Sequence, residues 1–448
     1  MKTFCFLLLL FTNVSICIGS VQWFDSFEKK SQQLLYDTGE SWHELSLFNI
    51  YLRSNFSKKE NYSPTKIMIS GNNSYSLLYK QESKKYQNFF IFFYPSYGAY
   101  VLKNKNLLKY SKEKPIPSFK NFASGFGFKN NWAHLQVSHN SEDWGAGNDI
   151  SLGLTYNSEQ YDYITLSSDY GNVRVKYIHG FLESINSYNR FLVAKGLELT
   201  NKRSLVFGIS ETVIYSGNNR SFDIGYLNPI SSHLELELNN RLNFNGGNNA
   251  NAIWQIHVDY LIKSNLRFSI NYLFDEFVLD QDIETNKEHG KAFSLRFAYT
   301  PNWDSENMVT FFASMIHIGT PTFRHNDGMN NFVYKNNPIG YDLGSDVHEL
   351  RFGLNLFDNK RYIFKMYNRY FEIGEENILQ NSYARYKDYL KDKFPSGKVI
   401  AYNSTYFNLE WKLKDLNIFL EIISFHKLTK TLDHKDIFNC SLIFPLKI

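Results

Sequence analysis

Basic side chains recur along this sequence at positions that alternate with apolar ones. The set comprises Arg174, Lys176, Arg267, Arg296, Arg351, Arg361, Lys365 and Arg369. Acids in the same kind of position are Asp259, Asp275 and Glu349. If alternate residues share one side of a sheet, that side favours an anionic ligand, through charge-assisted bonds to carboxylate (for a sugar, uronate) or phosphate groups. The alternative is that these cations pair with the acids and with an inserted segment, since buried charges are usually paired.

A second candidate set is the turn-like group Tyr226, Asn228 and Pro229. A tyrosine ring can cover the apolar side of a pyranose, and an amide can bond to its hydroxyls. The alternative is that this turn only anchors a loop. We list Tyr226, Asn228 and Asp275 with Arg267, Arg296, Arg351, Arg361, Lys365 and Arg369 as the predicted polysaccharide-binding residues.

Catalytic and metal-binding patterns are absent from the sequence. Asp275 and Glu276 are adjacent, so a strand points them to opposite faces, whereas a glycosidase needs two carboxyls converging about 5–9 Å apart. There is no His-Glu-x-x-His and no Gly-x-Ser-x-Gly motif. His317, His325 and Asp327 could approach one another, but a polar loop also explains them. We therefore predict no enzyme, no cofactor and no metal, with an outer-membrane hydrolase as the weakest alternative.

The segments that carry these residues have the alternating sequence pattern of β-strands. In 253–262, apolar residues from Trp254 to Ile262 alternate with a set that has Gln255, His257 and Asp259 at its centre. Such windows of ~8–11 residues recur, separated by turn residues, which suits tilted membrane strands. The pattern predicts an all-β fold, a transmembrane antiparallel up-and-down β-barrel of about 16–18 strands.

Composition favours the same class. Aromatic residues make up 17% of the chain, with 39 Phe and 31 Tyr, although the mean hydropathy is −0.38. A barrel uses aromatics in a lipid-facing band and two girdles. The alternative is a large soluble β-sandwich or propeller. The net charge of +4 is small and dispersed, which argues against nucleic acid as a partner.

The first residues resemble an export signal. Lys2, the apolar stretch 4–11 and Ile18-Gly19-Ser20 predict a signal peptide over 1–20. We therefore expect a single barrel domain over 21–448 in the outer membrane of a Gram-negative-type cell, with outer-membrane lipid and the barrel-assembly machinery as partners. A lipoprotein at Cys17 is a weaker alternative. Removing the signal leaves only Cys440, so no intrachain disulfide is expected.

Two segments depart from the strand pattern. Residues 21–60 begin with apolar residues at helical spacing, which predicts a periplasmic helix or an irregular plug segment. In 205–215, Glu211 shares a face with apolar residues that include Phe207 and Ile209. A carboxylate at the bilayer midplane costs several kcal/mol. We therefore expect either a bulge that re-aims Glu211 or a place for it at the membrane rim.

Several runs along the chain form an ordered set: Trp144–Gly147, Arg190–Ala194, Leu197–Leu199, Gly208–Tyr215, Gly225–Pro229, Asp275–Phe277 and Pro338–Asp346. Together they resemble the outer-membrane capsule-assembly family Wzi. The runs span about half of the chain. The resemblance implies a closed barrel of about eighteen strands with a plugged or occluded lumen. It also implies a lectin, not an enzyme, that attaches capsular or other surface polysaccharide to the outer membrane.

Two functions follow from this sequence. The first is a polysaccharide-binding barrel, whose outer loops and lumen mouth make many weak contacts that add by avidity along a polymer. The alternative is a porin-like channel for anionic solutes. A basic, open lumen would favour the channel, and a plugged lumen would argue against it.

Overall fold

The computed structural model describes part of the chain. The described ranges are 65–70, 76–80, 82–86, 89–100, 116–129, 132–147, 149–155, 158–201, 204–242, 250–263, 265–275, 288–301, 307–358, 362–386, 393–413, 416–428 and 434–446. The predicted signal peptide, the predicted segment 21–60, Glu276 and Arg361 lie outside the described residues.

Alternating apolar and polar residues form long strands. The first ten are β1 (Thr65–Ser70), β2 (Ser76–Lys80), β3 (Glu82–Tyr86), β4 (Phe89–Tyr100), β5 (Ile116–Lys129), β6 (Ala133–Asn140), β7 (Tyr161–Asp169), β8 (Val173–Ile185), β9 (Tyr188–Thr200) and β10 (Leu205–Asn218). The others are β11 (Ala250–Lys263), β12 (Leu266–Phe274), β13 (Lys291–Tyr299), β14 (Asn307–Ile318), β15 (Val333–Tyr334), β16 (Asn337–Pro338), β17 (Val347–Asp358), β18 (Tyr362–Ile373), β19 (Ile400–Leu413), β20 (Leu416–Lys427) and β21 (His434–Leu446).

Nineteen of the described strands form one sheet, and β15 and β16 form a separate hairpin. All pairings are antiparallel, mostly between strands that follow one another in the chain, and β14 pairs with β17 across the hairpin. β2 and β3 both pair with β4. β1 pairs with both β2 and β21, so the order of pairing returns to its start. The predicted antiparallel all-β architecture is confirmed.

We call the 19-stranded sheet the wall, and its two faces follow the predicted alternation. In β11, the polar side chains of Gln255, His257 and Asp259 are buried toward the interior. Ile256, which lies between Gln255 and His257, and Tyr260, which follows Asp259, point outward and are exposed. A strand with period two can satisfy both environments at once, because successive side chains leave opposite faces of the sheet. Among the described residues, no helix is long and apolar enough to cross a membrane.

The two ends of the wall differ. At one end the chain passes between strands in short connections such as 170–172 and 201–204. The other end carries long connections, among them 141–160, 219–249, 319–346 and 374–399, and we call it the long-loop end. In outer-membrane barrels the short turns are periplasmic and the long loops extracellular.

Three of these long loops fold back into the interior. They pack against inward-facing wall side chains such as Ile214 and Leu273 and form one hydrophobic core. The 141–160 loop contributes Trp144, Ile150, Leu152 and Leu154 to that core. The 319–346 loop contributes Phe323, Phe332, Val333, Tyr334, Ile339, Tyr341 and Leu343, and the 374–399 loop contributes Ile378 and Leu379. Burying these side chains stabilises the docked loops, at about 25 cal/mol per Å² of apolar surface removed from water. The interior at this end is therefore filled by protein.

Candidate functional site

Three of the predicted binding arginines lie on one line across the interior wall. Arg296 of β13 is opposite Ser314 of β14, which is opposite Arg351 of β17. Arg351 is in turn opposite Arg369 of β18. All three arginines are buried, and we call them the arginine row. The sequence predicted their common face, and the register brings them to the same level.

The arginine row holds two of the inner loops. Asp149 of the 141–160 loop bridges two members: its Oδ1 lies 3.0 Å from Arg296 Nε, and its Oδ2 lies 3.0 Å from Arg351 Nη1. Asp342 of the 319–346 loop lies 3.2 Å from Arg369 Nη2. The Arg351–Asp149 and Arg369–Asp342 contacts are also charge-assisted hydrogen bonds, which are shorter and stronger than neutral ones. The row therefore ties both loops to the wall.

Glu349 is the central acid of this network. Its Oε1 accepts from Arg351 Nη2 at 2.7 Å, and its Oε2 accepts from Arg369 Nε at 2.6 Å. The Tyr341 hydroxyl donates to Oε2 at 2.7 Å, and burial raises the pKa of that hydroxyl well above its usual value. Glu349 is fully buried. The three arginines of the row thus face three carboxylates, which supports the alternative that these cations are paired.

The other predicted cations have separate surroundings. Arg267 forms an ion pair with Asp259, and Ser269 donates to the same carboxylate at 3.1 Å. Lys365 is half-buried on β18. Arg361 lies outside the described residues. A role of any of these residues in polysaccharide binding stays a prediction.

Side-chain amides of the wall hold the Gly-rich turn at 144–147. The Asn271 amide accepts from Ala146 N at 2.6 Å and donates to Ala146 O at 2.9 Å. Gln255 donates to Trp144 O at 3.2 Å. At Gly145, φ is +135°, and an added Cβ would lie 2.6 Å from Asn271 Oδ1. Glycine is required there both by the backbone conformation and by the close approach to the wall.

Arg190 of β9 is a site that the sequence reasoning did not single out as functional. Its guanidinium donates to three carbonyls of the 319–346 loop: Met329 O at 2.6 Å, Asn331 O at 2.7 Å and Val333 O at 2.9 Å. It also forms an ion pair with Glu183 of β8. The side chain is fully buried. The available signal was a lone arginine among the apolar inward-facing residues of β9.

The rim above Arg190 carries polar and aromatic side chains. Lys335 and Asn336 form the exposed turn of the β15–β16 hairpin. The Tyr383 hydroxyl donates to Glu183 at 2.7 Å, and the Arg190 guanidinium lies 5.1 Å from the Tyr383 ring centre. Arg385 is exposed in the same segment. We call Lys335, Asn336, Tyr383 and Arg385 the mouth cluster.

Tyr226 and Asn228 lie elsewhere, on the outside of the wall. Residues 219–242, which we call the strap, contain a 3₁₀ turn (Ile224–Leu227) and the helix α1 (His233–Leu238). The buried Tyr226 ring stacks on Tyr215 at 4.8 Å, and its hydroxyl forms a hydrogen bond with His233 Nδ1 at 2.7 Å. Asn228 donates to Ser231 Oγ at 2.9 Å within the strap. This geometry supports the anchoring alternative, and a sugar contact stays a prediction.

The strap also explains Glu211. The register of β10 with β9 and β11 is continuous through Glu211, so the bulge that we predicted as one alternative is wrong. Glu211 points outward and lies under the strap. Its Oε1 accepts from His233 N at 2.9 Å and from Trp254 Nε1 at 3.0 Å, and its Oε2 lies 3.5 Å from Lys195 Nζ. The strap and Trp254 of β11 therefore supply hydrogen bonds to one oxygen of a carboxylate that lies on an apolar face of its strand.

Attachment of the strap is expected to weaken in acid. Burial and the nearby Lys195 and Arg220 lower the pKa of His233 from 6.5 to about 4. The folded state therefore disfavours the proton, and docking is strongest above pH 6.5. It is lost progressively as the pH falls from 6.5 toward 4, by about 3 kcal/mol in total. Hydrogen exchange of 219–242 at pH 7.5 and pH 4.5 measures this change in detergent.

A matched variant tests the assignment to His233. His233→Gln cannot gain a proton, so its strap should exchange at nearly the same rate at both pH values after correction for intrinsic exchange. An equal acid response in the variant would contradict the role of His233. It would point instead to another titrating group near the strap, such as Glu237, which lies 3.6 Å from His233 Nε2.

The remaining candidate residues are Asp275, His317, His325 and Asp327, and each contacts neighbouring parts of the fold. Asp275 is buried at the end of β12, and its carboxylate accepts from Phe323 N in the 319–346 loop. His325 and Asp327 share a turn, where Asp327 N donates to His325 Nδ1 at 3.0 Å. His317 stacks instead on Phe293 of β13. Within the described ranges, no three His, Cys, Asp or Glu side chains are grouped so that they could hold a metal ion.

Comparison with known proteins places the fold. No protein-family model and no curated protein matches the sequence. Among solved structures, the chain is similar to Wzi, an outer-membrane protein involved in group 1 capsule assembly in Escherichia coli and named a carbohydrate-binding β-barrel. The identity is 10%, the TM-score is 0.60, and the match covers 86% of this chain and 85% of that one. This chain has the fold of Wzi.

Porins also match. OprD of Pseudomonas aeruginosa has 10% identity and a TM-score of 0.45, over 86% of this chain and 94% of that one. A BenF-like porin from Pseudomonas fluorescens Pf-5 has 7% identity and a TM-score of 0.45, over 84% and 91%. The resemblance to Wzi predicted from sequence runs is confirmed at the level of structure.

Proposed function

We propose that this chain binds capsular or other surface polysaccharide and attaches it to the cell surface, without catalysis. The observation that carries the proposal is the filled interior: three long loops form a buried core and leave a polar, partly basic mouth cluster at the long-loop end. A filled interior favours a protein that binds its ligand at the surface over a channel that passes solutes through the lumen. The Wzi fold agrees with it, since the solved protein of that fold is named a carbohydrate-binding barrel.

The proposal places the chain in an outer membrane. Large apolar side chains are exposed on the outward face of the wall, and Phe126, Phe207 and Phe352 are examples. Exposure of so many would be costly in water, whereas lipid accepts them. Export by the signal peptide over 1–20 and insertion by the barrel-assembly machinery belong to the same proposal.

Two groups of residues have different roles in this mechanism. The arginine row and Arg190 position the inner loops, because their bonds run from the wall to those loops. The mouth cluster contacts the glycan: Lys335 and Arg385 attract acidic groups, and Tyr383 offers an aromatic edge. Direct glycan contacts by the buried arginines would need movement of the loops that they hold. Weak contacts at each mouth add by avidity along a polymer that spans many copies.

Retention of polysaccharide tests the mouth cluster. In a host strain lacking this protein, we expect polymer to be made and shed into the medium. The variant Lys335→Ala/Arg385→Ala should fold, since both side chains are exposed, and should retain several-fold less polymer on cells than the parent. Lys263→Ala, an exposed lysine at the short-connection end, is the matched control and should retain as much as the parent. An unchanged cell-bound fraction in the deletion strain would contradict the proposal.

The porin-like alternative rests on the basic inward-facing residues. It requires a water-filled path past the inner loops. Conductance across a planar lipid bilayer separates the two functions. We expect no steady single-channel current from the parent protein, because the 141–160 and 319–346 loops pack into one core. Stable anion-selective steps would favour the channel.

A further inference from the structure

The strap has two chemically different sides. Its inner side is buried against the wall, where Tyr226 and Leu236 join a cluster with Val193, Val213 and Tyr215. Phe222 stacks on His179 at 3.8 Å. Polar bonds fix the same side: the Lys195 ammonium donates to Ser231 O, and Tyr215 OH accepts from Asp223 N at 3.2 Å. The strap is therefore a fixed part of the outer wall.

The outer side of the strap carries five exposed aliphatic side chains, beside polar ones such as Asn228 and the exposed ion pair of Glu235 and Arg241. Ile230 is 90% exposed, Ile224 74% and Leu238 72%. Leu227 and Leu234 are also exposed. Five large aliphatic residues within fifteen positions exceed the scattered exposed residues that are normal on a water-facing surface. Since the inner side is already packed, these side chains need another apolar environment.

The position of the strap on the outward face of the wall indicates which apolar environment its exposed side chains meet. A row of paired outward-facing residues runs beneath it through Val213 and Val193. Across β8 to β5, the same row continues to Ile164, Val137 and Phe126, which are all exposed. Below the strap on β10, Phe207 and Ile209 are exposed as well. The apolar side of the strap thus continues the apolar band of the wall.

We propose that the strap is a lipid-contacting element, whose Ile224, Leu227, Ile230, Leu234 and Leu238 lie in the acyl chains of the membrane leaflet at the long-loop end. This inference rests on the proposed outer-membrane location. A short helix with one buried side and one lipid-facing side widens the barrel at the membrane surface. It also shields the outward-facing ion pair of Lys195 and Glu211, which would be costly in direct contact with lipid.

Site-directed spin labelling in lipid vesicles tests the inference. Native cysteines are replaced by serine, and single cysteines are introduced as Ile230→Cys, Ile209→Cys or Asn336→Cys and labelled with a nitroxide. Collision with oxygen, which concentrates in acyl chains, is compared with collision with a water-soluble nickel chelate. Position 209 serves as the lipid reference and position 336 as the water reference. Unchanged heat-modifiability on gels verifies that each labelled protein is folded.

We expect the oxygen-to-nickel ratio at position 230 to approach that at 209 and to exceed that at 336 several-fold. A ratio at 230 equal to that at 336 would overturn the lipid contact. Protection of 230 from both reagents would overturn it as well, in favour of cover by a second copy. If 209 itself matches 336, the outer-membrane location fails, and that result is distinct from a failure at 230 alone.

Discussion

Glu349→Ala is expected to lower the free energy of unfolding by about 3–5 kcal/mol, the usual cost of removing one partner from a buried ion pair. Glu349 is fully buried and bonds to Arg351, Arg369 and Tyr341. Without it, the arginine row keeps only Asp149 and Asp342 as carboxylate partners among the contacts described above. Urea unfolding in detergent micelles, followed by tryptophan fluorescence, measures the loss.

The neighbouring strand offers a matched control. Glu372 lies on β18, where it is half-buried and accepts from Tyr370 OH at 2.6 Å. Glu372→Ala removes the same charge from the outward side and should cost less than about 1 kcal/mol. Glu349→Gln, which keeps the shape, should fall between the two. Equal losses for Glu349→Ala and Glu372→Ala would contradict the central role of Glu349.

Arg190→Ala is expected to release the 319–346 loop. The substitution leaves Met329 O, Asn331 O and Val333 O without this donor and leaves Glu183 without its ion-pair partner. A buried group left without its bond costs about 1–3 kcal/mol, so the sum is large enough to open the loop. Protease added to proteoliposomes should cleave 319–346 at least several-fold faster than in the parent, as followed by mass spectrometry.

Two further variants make that result specific. Arg190→Lys keeps the charge but lacks the planar fork that reaches three carbonyls, so it should be intermediate. Arg241→Ala removes an exposed arginine that is paired with Glu235, and should leave cleavage of 319–346 unchanged. Cleavage of the Arg190→Ala loop at the parental rate would show that apolar packing alone holds this loop.

The alternation of apolar and polar residues along single strands made the inward and outward faces of the wall predictable. The period of two assigns Gln255, His257 and Asp259 to the interior without any knowledge of neighbouring strands. The same logic placed Arg296, Arg351 and Arg369 on the inner face. It could not reveal that they share one level, because that depends on register across β13 to β18.

Loop positions were much less predictable. A loop that folds back onto a wall carries no regular period, so the runs Trp144–Gly147, Gly225–Pro229 and Pro338–Asp346 stood out in the sequence without showing where they pack. Arg351 and Asp149 are separated by 202 positions, and no local rule joins them. Two clues pointed to the strap: the turn-like set Tyr226, Asn228 and Pro229, and Glu211, an acid on an apolar face. We interpreted Glu211 through the backbone, as a bulge or a rim position, whereas its partners are His233 of the strap and Trp254 and Lys195 of the neighbouring strands.

The bridge at Asp149 also sets an order of events during assembly. The 141–160 loop precedes β7, yet its carboxylate partners are Arg296 of β13 and Arg351 of β17. Those strands must be in register before the loop reaches its final bonds. The 141–160 loop therefore reaches its final contacts only after β13 and β17 have joined the wall, whereas Gln255 of β11 and Asn271 of β12 are available earlier to hold its Gly-rich turn.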